Sequence, residues 1–90
     1  MTPNILLKLI NDYLSKKIDV NEFDYKFTEK YDWILYNDYS VILNNNITDL
    51  YNMLTDFEYL ECMRIYNDIT EEDIINKCKL IKKNIKNENT

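Results

Sequence analysis

No glycine occurs in this chain, and Pro3 is its only proline. Tight two-residue hairpins depend on residues that tolerate positive φ, glycine above all, and proline is the strongest helix breaker. A chain lacking both signals runs helices easily and turns strands back poorly. The fold expected is therefore all-α, a small antiparallel four-helix bundle. Its 90 residues are 46 % hydrophobic and 13 % aromatic, enough for one core in a single domain covering 1–90. A folded chain of this size should expose roughly 5,600 Å².

Apolar spacing places the helices. Thr2 as N-cap and Pro3 at the first helical position open a helix whose inward face is Ile5, Leu6, Leu9, Ile10, Tyr13 and Leu14. It should end near Ser15 or Lys16. Ile18 can then staple across a very short turn to the Asp19-x-x-Glu22 capping arrangement, which starts a second helix at Val20. Val20, Phe23, Phe27, Tyr31 and Ile34 form its apolar line, and so short a connection makes the two helices an antiparallel hairpin. Asn37 and Asp38, then Asn44, Asn45 and Asn46, are turn formers, leaving Tyr39 to Leu43 as either a single helical turn or an apolar flap.

A third helix from about Asn46 to Leu60 turns Ile47, Leu50, Tyr51, Leu54 and Phe57 inward and Asp49, Asn52 and Asp56 to solvent. The following ECMRIYND lacks a clean period and reads as a loop with at most a helical turn, in which Met63 and Ile65 tuck inward. Thr70 caps a fourth helix with Glu71, Glu72 and Asp73 in its first turn and Ile74, Ile75, Cys78, Ile81 and Ile85 inward. Lys77, Lys79, Lys82, Lys83 and Lys86 match its dipole, and residues 87–90 should fray. The helices expected are thus 3–16, 20–36, 46–60 and 71–86. Their core should contain Leu6, Leu9, Ile10, Phe23, Phe27, Leu50, Leu54, Phe57, Ile74, Cys78 and Ile81.

Charge is unevenly spread. Residues 49–73 hold eight acids against Arg64, a formal −7, whereas residues 74–90 hold five lysines against Glu88 and residues 1–48 nearly balance. Tyr51, Phe57, Tyr59 and Tyr66 interleave with those acids, and tyrosine supplies rigid contact area at protein interfaces. This acidic, aromatic stretch is the candidate binding surface. Acids at helix starts also serve as ordinary caps, so the competing reading is structural.

Chemistry is scarce elsewhere. Without histidine, Ser15, Ser40, Cys62 and Cys78 have no imidazole base, and without glycine there is no phosphate-cradling loop. Glu71, Glu72 and Asp73 point about 100° apart on a helix and cannot converge on one cation. We expect no enzyme, no catalytic residue, no metal and no cofactor. The acidic balance argues against direct nucleic-acid binding, which runs on Lys and Arg. No apolar run reaches the roughly 18 residues of a membrane span, and MTPNILLKLINDYL lacks the features of a secretory signal. A cytoplasmic location with free, buried Cys62 and Cys78 is expected. Most of the rings Tyr25, Phe27, Tyr31, Trp33, Tyr36 and Tyr39 should be core, with Trp33, Tyr36 or Tyr39 candidates for the surface.

LLKLINDYL, the short turn SKKID and VNEFDYKF, with its Glu-Phe and second Phe four residues on, resemble the opening of colicin-D-type and contact-dependent growth inhibition immunity proteins. The likeness covers residues 5–34 and continues in outline as an acidic loop after a third helix and a final short helix. The triple-Asn break and the aromatic Tyr31 to Tyr39 stretch depart from the family pattern. In those families a small helical bundle binds a basic toxin nuclease, often a tRNA-cleaving one, with acidic side chains in place of RNA phosphates. The resemblance implies that role for Asp56, Glu58, Glu61, Asp68, Glu71 and Glu72, to which Tyr59 and Tyr66 add aromatic contacts. The implied partner is a cognate toxin nuclease domain in a one-to-one complex, with no nucleic acid or membrane bound directly. The alternative is an acidic helical adaptor or nucleic-acid mimic that regulates a host or DNA-binding protein.

Overall fold

The computed structural model describes residues 4–37, 45–63 and 69–88, with side chains for 4–37, 45–57 and 69–84. Four helices account for nearly all of them: α1 Asn4–Leu14, α2 Val20–Asn37, α3 Asn45–Met63 and α4 Glu71–Glu88. No strand occurs among the described residues. Each helix packs on its neighbour in sequence and α4 returns to α1, closing an all-α four-helix bundle. The Thr2–Pro3 start, the Tyr39 to Leu43 stretch and Ile65 lie outside the described residues.

The α1 to α2 turn is built from two local motifs. The Lys16 amide donates to the Tyr13 carbonyl at 3.0 Å and the Lys17 amide to the Asp12 carbonyl at 2.9 Å, the two bonds of a Schellman cap. That motif needs a left-handed residue after the helix, and here it is Lys16, at φ 64°. Helix α1 consequently stops at Leu14, slightly before the expected end. Ile18 is half-buried against the core, and the Asp19 carboxylate accepts the Glu22 amide at 2.8 Å. The capping arrangement read from Asp19 and Glu22 is the one that starts α2.

Leu6, Ile10, Phe23, Phe27, Leu50, Leu54, Ile74, Cys78 and Ile81 are buried as expected, while Leu9 and Phe57 are only partly buried against them. Tyr13, Tyr31, Ile34 and Ile47 join the core, and so does the carboxylate-bearing Asp24 on α2. Ile5, assigned to the inward face, is instead 46 % exposed, because it sits about 100° round α1 from Leu6. Aromatic rings form a ladder through the centre: Tyr13 stacks on Phe23 at 4.6 Å, Phe23 meets Phe27 at 5.4 Å, Phe27 meets Tyr31 at 6.5 Å and Tyr31 stacks on Tyr51 at 4.1 Å. Three helices are thereby tied by one run of rings.

Two helices run on past their expected ends. Helix α3 continues through Glu61 and Cys62 to Met63, where a loop was expected. Leu, Glu and Met are strong helix formers and no glycine or proline interrupts them, so backbone propensity continues the helix after the apolar period is lost. Helix α4 likewise reaches Glu88, two residues beyond the expected end at 86. The molecule measures 41 × 27 × 22 Å and exposes 6376 Å², more than the roughly 5,600 Å² of a compact chain of this mass.

Candidate interaction surface

Of the eight residues assigned to partner binding, three have described side chains: Asp56, Glu71 and Glu72, all exposed. Glu58, Tyr59 and Glu61 fall in the helical backbone of α3, and their side chains lie outside the described residues, as do Tyr66 and Asp68 altogether. Asp49, two helical turns before Asp56 on the same face of α3, forms an ion pair with Lys77 of α4 at 3.7 Å. Asp56 therefore lies on the flank of α3 that faces α4. Glu71 points the other way, toward α1, where its Oε1 accepts the Tyr13 hydroxyl at 3.0 Å. Glu71 is thus engaged with α1, and no described contact joins it to Asp56.

The start of α4 divides its acids between structure and surface. Thr70 Oγ1 accepts the Asp73 amide at 3.2 Å while Asp73 Oδ2 accepts the Thr70 amide at 3.0 Å, a reciprocal capping box. Asp73 is a cap. Glu71 bridges to α1, and burial, followed by the bond to Glu71, holds the Tyr13 hydroxyl protonated above the usual tyrosine range. Glu72 alone of the three makes no side-chain hydrogen bond or ion pair among the described residues.

A second surface lies on α2, where Trp33 and Tyr36 are surface candidates from the sequence and Tyr25 is expected in the core. Phe27 and Tyr31 are buried, but Tyr25, Trp33 and Tyr36 are 70 %, 62 % and 78 % exposed. They lie on the outer arc of α2 with the exposed acids Glu22, Glu29 and Asp32. Glu22 pairs with Lys26 at 2.8 Å and raises the Lys26 pKa through that hydrogen bond. Asp32 accepts the Tyr51 hydroxyl at 2.8 Å, which fixes the seam between α2 and α3 and raises the Tyr51 pKa, chiefly by the bond itself and then by burial.

Known proteins add nothing to this surface. No family model, curated protein or solved structure matches the chain. Among the described residues no group of His, Cys, Asp and Glu is arranged to hold a metal ion, and no helix is long and apolar enough to cross a membrane. Cys78 is a free thiol in the core, pushed up to about 12 by burial, whereas a nucleophilic cysteine needs a depressed pKa and access. What the described surface offers is contact chemistry: exposed carboxylates on α2, α3 and α4 and three exposed rings on α2.

Proposed function

We propose that this chain is an immunity protein that binds a basic toxin nuclease, of a tRNA-cleaving class, and blocks its active site by occupying it. The observation that carries the reading is charge segregation: a formal −7 confined to residues 49–73 of a chain whose net charge is −5. A nuclease presents a cationic cleft to hold phosphates, so an acidic protein surface of matching size competes for it without doing chemistry. The exposed Asp56 and Glu72, and the capped, rigid helices that carry them, support that use. The resemblance of residues 5–34 to immunity proteins names the partner class. A standard interface of about 800 Å² per partner is about one-eighth of the 6376 Å² surface, within reach of the α3 end and α4 start together.

Rim acids chiefly speed association, while buried aromatic anchors set the lifetime of a complex. Charge reversal at Glu58, Glu61, Asp68 and Glu72, singly and together, should weaken binding to the toxin encoded beside this chain's gene and remove its salt dependence. A folded quadruple variant that still protects cells fully would refute the acidic-surface mechanism. Absence of any toxin-bearing neighbouring gene would favour the nucleic-acid-mimic alternative.

A further inference from the structure

Among the described residues one concavity is basic, although the protein is acidic. A groove of about 950 Å³ runs between the end of α1, the turn after it, and α4. Its floor is Leu14, Ile18 and Ile75, each half-buried, so apolar surface remains open to the groove. Lys16 and Lys17 stand on one bank and Lys79, Lys82 and Lys83 on the other. Ile75, Lys79 and Lys82 fall at four- and three-residue spacing, which puts them on one face of α4.

Two acids also line the groove, and both are occupied within the protein. Asp19 caps α2 through the Glu22 amide at 2.8 Å, and Glu71 accepts the Tyr13 hydroxyl at 3.0 Å. None of the five lysines has an ion-pair partner among the described residues; the pairs formed there use Lys26 and Lys77. Matching the helix dipole explains cations near the end of α4, but it does not explain why cations from a separate turn face them across an apolar floor. Lysine heads at the rim of such a floor keep their charge in water while their stems extend the apolar wall.

A concave apolar floor of this volume ringed by unpaired ammonium groups matches a small-molecule pocket in size and in its few polar anchors. We propose that this groove binds a single-chain anionic amphiphile, an acyl chain ending in a carboxylate or phosphate. The chain lies along Leu14, Ile18 and Ile75, and the anion is held between the two banks of lysines. Cationic amphiphiles are repelled by the same ring. This site does not rest on the toxin-binding reading: it shares with that surface only Glu71, which is held by Tyr13, and it uses lysines that reading does not.

Dodecanoate, kept below its micellar concentration, is the probe, with binding followed by calorimetry and by amide chemical shifts of the labelled protein. The expected result is saturable one-to-one binding, with shifts at Leu14 to Asp19 and Ile75 to Lys83. Each methylene added between decanoate and dodecanoate should tighten binding about two- to four-fold. The exposed pair Lys79→Glu and Lys83→Glu should fold normally and weaken dodecanoate at least ten-fold. Dodecyltrimethylammonium should bind at least ten-fold more weakly than dodecanoate. Equal binding of the cationic and anionic amphiphiles, unchanged affinity in the folded double variant, or shifts confined to other helices would each overturn the proposal. Capture by phosphatidylglycerol vesicles without binding of monomeric dodecanoate would overturn it in favour of a membrane surface.

Discussion

The Tyr13 hydroxyl donates to Glu71 Oε1 at 3.0 Å, joining the end of α1 to the first turn of α4 across 58 positions of sequence. The same ring stacks on Phe23 at 4.6 Å, so one side chain couples the α1 to α2 hairpin to the last helix. Removing the hydroxyl by Tyr13→Phe keeps the stack and deletes the bond, which should cost about 1.5–3 kcal/mol for a hydrogen bond to a charged acceptor. Glu71→Gln should cost less, since the amide oxygen still accepts. Urea unfolding of both variants checks this. If Tyr13→Phe is neutral, the bond does not help close the bundle.

Lys16 is the residue that a chain without glycine must place in a left-handed conformation, at φ 64°. A side chain with a Cβ pays roughly 1–2 kcal/mol there, and glycine would not. Glycine also widens the unfolded ensemble, which offsets part of the gain, so Lys16→Gly should stabilise the domain by about 0.5–1 kcal/mol. For a domain of this size that is a rise in Tm of roughly 2–8 °C. Calorimetric melting of the variant beside the parent gives the answer, and a fall in Tm would show that the Lys16 side chain contributes more by its contacts than its backbone costs.

These two positions also show which parts of the structure the sequence carried legibly. Helix phase was readable wherever a local signal repeated: the line from Val20 to Ile34, the Asp19 cap and the Thr70 cap all stand where spacing put them. The width of the buried arc was not readable. In a ring of four helices each helix touches two neighbours, so a residue about 120° round from Phe27, as Trp33 is, stays outside however apolar it is. Tyr25, expected in the core, is exposed for the same reason, while Trp33 and Tyr36 are surface candidates in the sequence itself. The lysines of α4 were read as partners of the helix dipole, because nothing in a one-dimensional pattern brings Lys16 and Lys17 opposite Lys79 and Lys83. The candidate surface is legible in the sequence only as a charge excess, and the engagement of Glu71 by Tyr13 across α1 is not.

Cys78 makes the fold sensitive to alkali. Burial raises its thiol from 9.0 to about 12, so the folded state resists ionisation while the unfolded chain ionises readily. Stability from this group is complete below pH 9 and is lost as the pH rises through 9 toward 12. Tyr13, whose pKa is also raised, adds a loss in the same direction above its ordinary value of 10.0. Unfolding free energies at pH 8 and pH 11 should therefore fall less in Cys78→Ala and in Tyr13→Phe than in the parent. In a Cys62→Ser background the remaining thiol should resist labelling at pH 8 until denaturant is added. Rapid labelling of the native protein would show that α4 opens from the core.

Trp33 and Tyr36 test whether the proposed partner binding extends beyond the acidic segment. Both rings are mostly exposed on the outer arc of α2, and the adjacent Asp32 is held by Tyr51 at 2.8 Å, so they stand on a rigid support. Surface truncations away from core and caps usually change stability by no more than about 0.5 kcal/mol, so Trp33→Ala and Tyr36→Ala should leave the melting temperature nearly unchanged. Tryptophan and tyrosine are over-represented among interface hot spots, where truncation costs about 2–4 kcal/mol of binding. Measured against the proposed toxin partner, a loss of that size in either variant would mark α2 as a second contact face. It would act mainly on the dissociation rate and vary little with salt, unlike the acids of residues 49–73. Should both variants bind as the parent does while Glu72→Lys weakens the complex, recognition runs through the acidic segment and α2 faces solvent in the complex.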